Sequence, residues 1–330
     1  MSLQGSSGPQ STALEMEDGH LPVMVEEVLD SLSPAPGGLQ IDATVGGGGH
    51  SRRILEANSP DGRLLGLDAD RAAIARTRER LATYGERVTL RQANFEDVST
   101  VAREAGFAPA DGILFDLGLS SYQLADPERA FSFRAEGPLD MRFDTSRGVP
   151  ASTLIAELDE RELGDLFRRF GEEPQARRIA RAIVQERQRG PITTGAQLAE
   201  IVARAAPVPP RGRRRVHPAT RVFQALRIAV NRELETLPVA LEGAVETLRE
   251  GGRLAVISYH SLEDRIVKRF IQAERRGCVC PPEVPVCICG RSPRLAPLGP
   301  QPRRPSEQEI AHNPRARSAL LRSARRLAAA

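Results

Sequence analysis

The polarity pattern of this chain changes period several times, and each change marks an element. Residues 39–45 form a short, β-branched apolar run with Asp42 and Thr44 near its exit, the pattern of a buried strand. Comparable runs predict strands over 63–68, 88–91, 112–117 and 253–258. Between them, apolar residues fall on single helical faces: Val25, Val28, Leu29 and Leu32, then Ile74 and Leu81, then Leu241, Val245 and Leu248, then Ile266, Val267 and Phe270. Strands apolar throughout and alternating with helices predict a parallel sheet covered on both faces.

The alternation stops after residue 117 and resumes with the helix predicted over 237–250, a gap far longer than one crossover needs. The gap is filled by helical periodicity: Leu154, Leu158, Leu163, Leu166, Phe167 and Phe170, then Ile179, Ile183 and Val184, then Leu198, Ile201 and Val202 behind a Thr194–Gln197 capping box. Val222, Phe223, Leu226, Val230 and Leu234 mark a last helix running back to the sheet. The expected organisation is a disordered tail over 1–19 and a discontinuous sheet domain over 20–125 and 217–322. A small all-α insert occupies 126–216, and a Cys/Pro/Arg-rich segment covers 277–305. Beyond Gly277 this pattern predicts only a short strand near 319–321.

Composition narrows the class. No run of about 18 apolar residues occurs, so no membrane span is expected. All four cysteines lie between Cys278 and Cys289, which excludes a disulfide framework in the core and makes the cytoplasm the default location. The net charge is only +3, but its distribution is uneven. Residues 201–232 carry eight arginines and no acid, and residues 290–330 carry nine arginines and two acids. Such stripes suit a phosphate backbone, although a solvated face accounts for either one alone.

The chemistry centres on the turn after the first strand. Gly46, Gly47, Gly48 and Gly49 precede a helix opening at His50-Ser51, so a glycine turn joins strand to helix. Such a turn brings backbone N–H groups and a helix N-terminus close to a nucleotide-like ligand, or it is simply a tight loop. The second strand ends in Asp68, 22 residues after Gly46, where a carboxylate accepts from both ribose hydroxyls. NAD and S-adenosyl-L-methionine both satisfy this pair. The last glycine of a G-x-G-x-x-G motif is missing, which disfavours a dinucleotide. Asp116 at the tip of the fourth strand, followed by LGLSSYQ, stands where amino methyltransferases of nucleic acids present a group to the exocyclic amine. Their two prolines and aromatic are absent, and Asp116 could instead cap a helix or bind only the cofactor.

The stretches HLPVMVEEVLDSL, IDATVGGGGHS, DGILFDLGLSSYQL, FSFRAEGPLDMRFD, HPATRVFQALRIAVN, GGRLAVISYHSLEDRIVKRF and NPRARSALLR together resemble the ribosomal RNA small subunit methyltransferase H family, in order, from His20 to Arg322. The resemblance implies an α/β fold: a Rossmann-like class I methyltransferase sheet with an inserted small all-α domain. It further implies methyl transfer from S-adenosyl-L-methionine to the exocyclic N4 of a cytidine in the decoding region of small-subunit rRNA. The partner is then that rRNA or the small ribosomal subunit; a homodimer is left open. The cofactor residues carried over are Gly48, Gly49, His50, Asp68, Phe95, Asp116 and Gln123. Leu119, Ala130 and Tyr259 stand where relatives often have Val, Gly and Phe.

For the nucleobase side the candidates are Asp116, Ser120 and His260. Each has a structural counterpart: Ser120 and Ser121 as N-caps, His260 as a hydrogen-bonded structural residue, Phe95 as core, His50 as a cap of the turn. Rival readings are a non-catalytic RNA-binding assembly factor on the same fold and, further off, an NAD-dependent dehydrogenase. Arg213, Arg214 and Arg215 are expected to serve RNA binding. Cys278, Cys280, Cys287 and Cys289 offer four thiols that suit tetrahedral zinc, but each pair is spaced by one residue where structural sites use two to four, so no metal residue is assigned.

Overall fold

The computed structural model describes residues 21–206, 217–278, 280, 286 and 288–328. The expected tail, Arg213–Arg215 and Cys287 lie outside the described residues. Seven strands form one sheet in the order β3-β2-β1-β4-β5-β7-β6. They are β1 (Leu39–Asp42), β2 (Arg63–Asp68), β3 (Val88–Gln92), β4 (Ala110–Asp116), β5 (Leu248–Ser258), β6 (Leu295–Pro297) and β7 (Leu320–Arg326). β1 to β5 run parallel, whereas β7 is antiparallel to β5 and β6 antiparallel to β7. The order reverses at β1, so the carboxyl ends of β1 and β4 flank the crevice where open α/β sheets bind ligands.

The helices on the sheet are α1 (Val25–Leu32), α2 (Gly49–Ala57), α3 (Arg71–Arg80), α4 (Val98–Glu104) and the short α5 (Ser121–Ala125). The inserted helices are α6 (Ala151–Glu157), α7 (Glu160–Gly171), α8 (Ala176–Arg187), α9 (Gly195–Ala205) and α10 (Pro218–Asn231). The chain returns to the sheet through α11 (Glu233–Thr247) and α12 (Ser261–Arg276), and α13 (Glu307–His312) precedes β7. One sheet face packs Ile113, Phe115 and Val256 against Leu241 and Val245 of α11 and Val267 of α12. The other packs Leu64, Leu114 and Ile257 against Val28 and Leu32 of α1 and Ile54 of α2. No helix among the described residues is long and apolar enough to cross a membrane.

Three expectations change. The sheet has one strand more than expected, the three-residue edge strand β6, and the short strand expected near 319–321 runs on as β7 through the arginine-bearing stretch to Arg326, where the backbone ladder needs no apolar run. β5 begins at Leu248 and passes through Gly251, at φ 75, with a register shift against β4. The glycine pair therefore sits inside the strand, and the helix before it stops at Thr247. Finally, Val222, Phe223 and Leu226 of α10 are buried in the same cluster as Leu163 and Phe167 of α7 and Leu198 of α9. The core of the inserted helices therefore extends past residue 216 and takes in α10.

The joint between α10 and α11 is one residue, Arg232, in the left-handed region at φ 53. Before it, Asn231 donates to Met141 O at 2.8 Å and accepts from Phe143 N at 2.8 Å, fastening the two ends of the insert to each other. Ala130, where relatives often have Gly, also lies at positive φ, 47°, a conformation glycine takes without strain.

Candidate functional site

The carboxyl ends of β1, β2 and β4 open into a cavity of about 450 Å³ between the sheet and the inserted helices. Its floor is the glycine turn. Gly46 and Gly48 sit at φ 51 and 78, and a Cβ on Gly48 would press within 3.1 Å of Thr77. α3 braces this turn from behind: Thr77 Oγ1 donates to Gly46 O at 3.0 Å and Arg80 to Gly47 O at 3.1 Å. Buried Asp42 holds it from below, accepting from Ser51 Oγ at 2.6 Å and Thr44 N at 3.2 Å.

Asp68 ends β2 beside this turn. Its Oδ2 accepts from Gly46 N at 2.9 Å and its Oδ1 from Asp70 N at 2.8 Å. Burial pushes its carboxyl up to about 6, against the lowering effect of those two N–H groups. Asp68 lines the cavity and a carboxylate oxygen accepts more than one hydrogen bond, so a ligand offering two hydroxyls suits it. Phe95 lines the same space from a 3₁₀ turn after β3, its ring edge-on to Phe115 at 6.2 Å between centroids. It is both core and wall.

Asp116 ends β4. Its own N–H donates to Thr44 Oγ1 at 2.6 Å, its Oδ1 accepts from Tyr259 Oη at 2.8 Å, and its Oδ2 lies 3.5 Å from His50 Nδ1. His50 Nε2 is 2.8 Å from Val23 O. A carbonyl only accepts, so Nε2 carries a proton and Nδ1 is the nitrogen that faces Asp116. Burial raises the Asp116 carboxyl above its ordinary value, while His50 and the Tyr259 hydroxyl pull it down. The Tyr259 hydroxyl is pushed well up by burial and by the carboxylate beside it, so it remains a donor.

Ser120 is the N-cap of α5, accepting from Gln123 N at 3.2 Å, and Gln123 Oε1 accepts from Ser120 N at 3.0 Å. Both line the cavity, but the capping box already engages the serine oxygen. The Gln123 amide donates to Asp70 Oδ2 at 3.3 Å, and Arg129 Nη1 donates to the same oxygen at 2.9 Å. Asp70 thus caps α3 with one oxygen and ties the start of the insert to the cofactor loop with the other.

His260 stands apart. It is the N-cap of α12, with Nε2 3.1 Å from Glu263 Oε1, and it is not among the residues lining the cavity. Its neighbours Tyr259 and Glu263 line it instead. Arg227, half-buried, forms a two-pronged bond to Glu233 at 2.8 Å and lies 3.8 Å from Glu263, so a charged cluster forms part of the cavity wall. Sequence reasoning missed these four. The rule that ligands lie beyond strand ends, applied to β5 as to β4, singles out Tyr259. Nothing local signals the Arg227–Glu233–Glu263 cluster as part of a cavity wall, because it forms only where α10, α11 and α12 converge.

Residues 17–327 match the model of the MraW methylase family. The chain belongs to that family. Among its curated relatives, a protein of Thermomicrobium roseum named ribosomal RNA small subunit methyltransferase H is 57% identical over 309 residues, covering 94% of each chain. One of Syntrophotalea carbinolica with the same name is 53% identical over 93% of this chain and 98% of its own. A solved rRNA methylase from Streptococcus thermophilus aligns over 92% of this chain and 94% of that one, with a TM-score of 0.42 at 12% identity.

Proposed function

We propose that this chain transfers a methyl group from S-adenosyl-L-methionine to the exocyclic N4 of a cytidine in the decoding region of small-subunit rRNA. The observation that carries this reading is one cavity lined by two half-buried carboxylates with different surroundings, Asp68 on the glycine turn and Asp116 between Tyr259 and His50. S-adenosylmethionine, when bound, supplies a methyl on a sulfonium that needs no further activation. Asp68 accepts from its ribose hydroxyls, the glycine turn admits it without a Cβ in the way, and Phe95 covers an apolar face.

Asp116 addresses the acceptor. Cytosine's amine is a weak nucleophile because its lone pair is delocalised into the ring. A carboxylate accepting from that N–H localises the lone pair and receives the proton the nitrogen must shed. Tyr259 donates to one oxygen of Asp116 and His50 lies beside the other, so the orientation of the carboxylate is set before substrate arrives. The inserted helices form the far wall, and a base must leave its stack to reach Asp116 from outside. Arg315 at the rim of the cavity and Arg134 on the insert, both exposed, are placed to meet phosphates.

The test is transfer of radiolabelled methyl to rRNA or small subunits from cells lacking the enzyme, with the base identified by mass spectrometry. N4-methylcytidine is expected from the parent and none from Asp116→Asn, which should still bind S-adenosylmethionine. Methylation of another atom would overturn the acceptor; full activity in Asp116→Asn would overturn its role.

A further inference from the structure

The segment joining α12 to β6 is anchored at both feet. At one foot α12 ends at Gly277, φ 69, whose N–H donates to Ala273 O at 2.9 Å. At the other, Arg294 N donates to Glu274 O at 2.9 Å, and its guanidinium bridges Glu274 and Glu242. Between these feet the described apolar side chains, Val286 and Ile288, are 71% and 81% exposed. Burial of these described apolar side chains therefore does not hold the loop in shape.

Three cysteines meet inside it. The sulfurs of Cys278, Cys280 and Cys289 all lie within 4.8 Å of one another. Cys278 Sγ and Cys289 Sγ are 3.9 Å apart, nearly twice a disulfide bond length of about 2.05 Å. Zinc bound tetrahedrally at a Zn–S distance of about 2.3 Å holds its sulfurs about 3.8 Å apart. The separation matches the edge of that tetrahedron. Cys280 Sγ also accepts from Ile288 N at 3.4 Å, the kind of outer hydrogen bond that orients a thiolate ligand.

We propose that Cys278, Cys280 and Cys289 bind a zinc ion that fastens the loop between α12 and β6. The set is thiolate-only, which selects a soft or borderline ion over magnesium or calcium. The site is structural: it lies beyond the last turn of α12, and none of its cysteines lines the cavity that holds Asp68 and Asp116. The one-residue spacing of Cys278 and Cys280 does not prevent them from converging, because the chain reverses after Gly277 and brings Cys289 back beside them.

The experiment measures metal in full-length protein prepared reduced, without a histidine tag. About one zinc per chain is expected by mass spectrometry of the digested protein, and under a tenth of that in Cys278→Ser/Cys289→Ser. The parent, stripped of metal under reducing conditions, is then titrated with cobalt(II). Tetrahedral thiolate absorption should appear at one equivalent. The double variant should bind cobalt more weakly than the roughly 10–100-fold loss that removal of an outer hydrogen-bond partner causes. Metal-stripped parent should also be cut by trypsin after Arg291 faster than the zinc-loaded form, which reports the loop even if the variant folds badly. The proposal is overturned by metal below a tenth per chain together with no cobalt–thiolate absorption. It is equally overturned by equal zinc in parent and variant, or by an intact mass showing that the reduced preparation carries a disulfide among these cysteines.

Discussion

The hydroxyl of Tyr259 donates to Asp116 Oδ1 at 2.8 Å across 143 residues of chain. The two residues are neighbours because β4 and β5 lie side by side in parallel, with Asp116 opposite Ile257, so the residues leaving the two strands meet over the cavity. The inserted helices occupy the chain between these strands, which nevertheless pair in continuous register from Gly112↔Arg253 to Asp116↔Ile257. An O–H···carboxylate bond in a buried setting favours the ionised form of Asp116, which is the form that accepts a proton.

Tyr259→Phe should therefore raise the Asp116 carboxyl further. Activity that requires its ionised form is lost as pH falls through its titration, so the acid limb of the pH–rate profile should move to higher pH in the variant. At pH well above that limb the rate should stay within about tenfold of the parent, since a hydrogen bond to a charged group contributes about 1.5–3 kcal/mol and only part of it differs between ground and transition states. A rate profile measured by methyl transfer with unmoved acid limb would count against Asp116 as the titrating group.

Arg129→Ala should unfold at markedly lower temperature. Arg129 Nη1 bonds Asp70 Oδ2 at 2.9 Å with side chains 11% and 4% exposed, and removing the cation leaves a buried carboxylate with the Gln123 amide as its remaining donor on that oxygen. Breaking one side of such a pair costs about 3–5 kcal/mol. The fall should show in thermal denaturation. Asp70→Asn/Arg129→Ala should recover part of it, because the stranded charge is then gone.

The sheet was legible where side chains announce it. β1, β2 and β4 are largely buried runs, β3 is a half-buried edge strand, and the polar tips Asp68 and Asp116 were readable as departures from the apolar pattern. β7 was half visible, because LLRSARR reads as tail, yet its backbone pairs with β5 from Leu320↔Ser258 to Arg325↔Arg253. β6 has only three residues and no pattern at all. In the site, glycines and strand-tip acids carry their own signal, while Arg227, Glu233 and Glu263 acquire theirs only when α10, α11 and α12 converge. The capping roles of Ser120 and His260 were readable as alternatives, and both residues do cap helices.

If Arg134 and Arg315 meet phosphates, changing both to Ala should weaken rRNA binding with little preference among sequences. Neutralising two contacts to a single strand should make the plot of log affinity against log salt shallower by about 1.4. Filter binding at several salt concentrations measures the slope. S-adenosylmethionine affinity should change less than RNA affinity. An unchanged slope would place the RNA on another face.

Asp68 gives the cofactor side a pH signature with a definite sign. Its carboxyl titrates near 6 in the folded chain, against an ordinary value of 3.8. Between these values the native protein binds more protons than the unfolded one, so this group favours folding at low pH and that contribution is lost as pH rises through 6. Cofactor binding should run the other way. Ribose hydroxyls need an ionised acceptor, so S-adenosylmethionine affinity should fall as pH drops through about 6 and level off above it. Asp68→Ala should lose about 1.5–3 kcal/mol of affinity at pH 8 and should lose the pH dependence with it. Asp68→Asn keeps an acceptor oxygen for Gly46 N and should bind weakly yet independently of pH. Calorimetry of the parent and both variants between pH 5 and 8 checks all three. A parent whose affinity does not change over that range would remove Asp68 from the binding step.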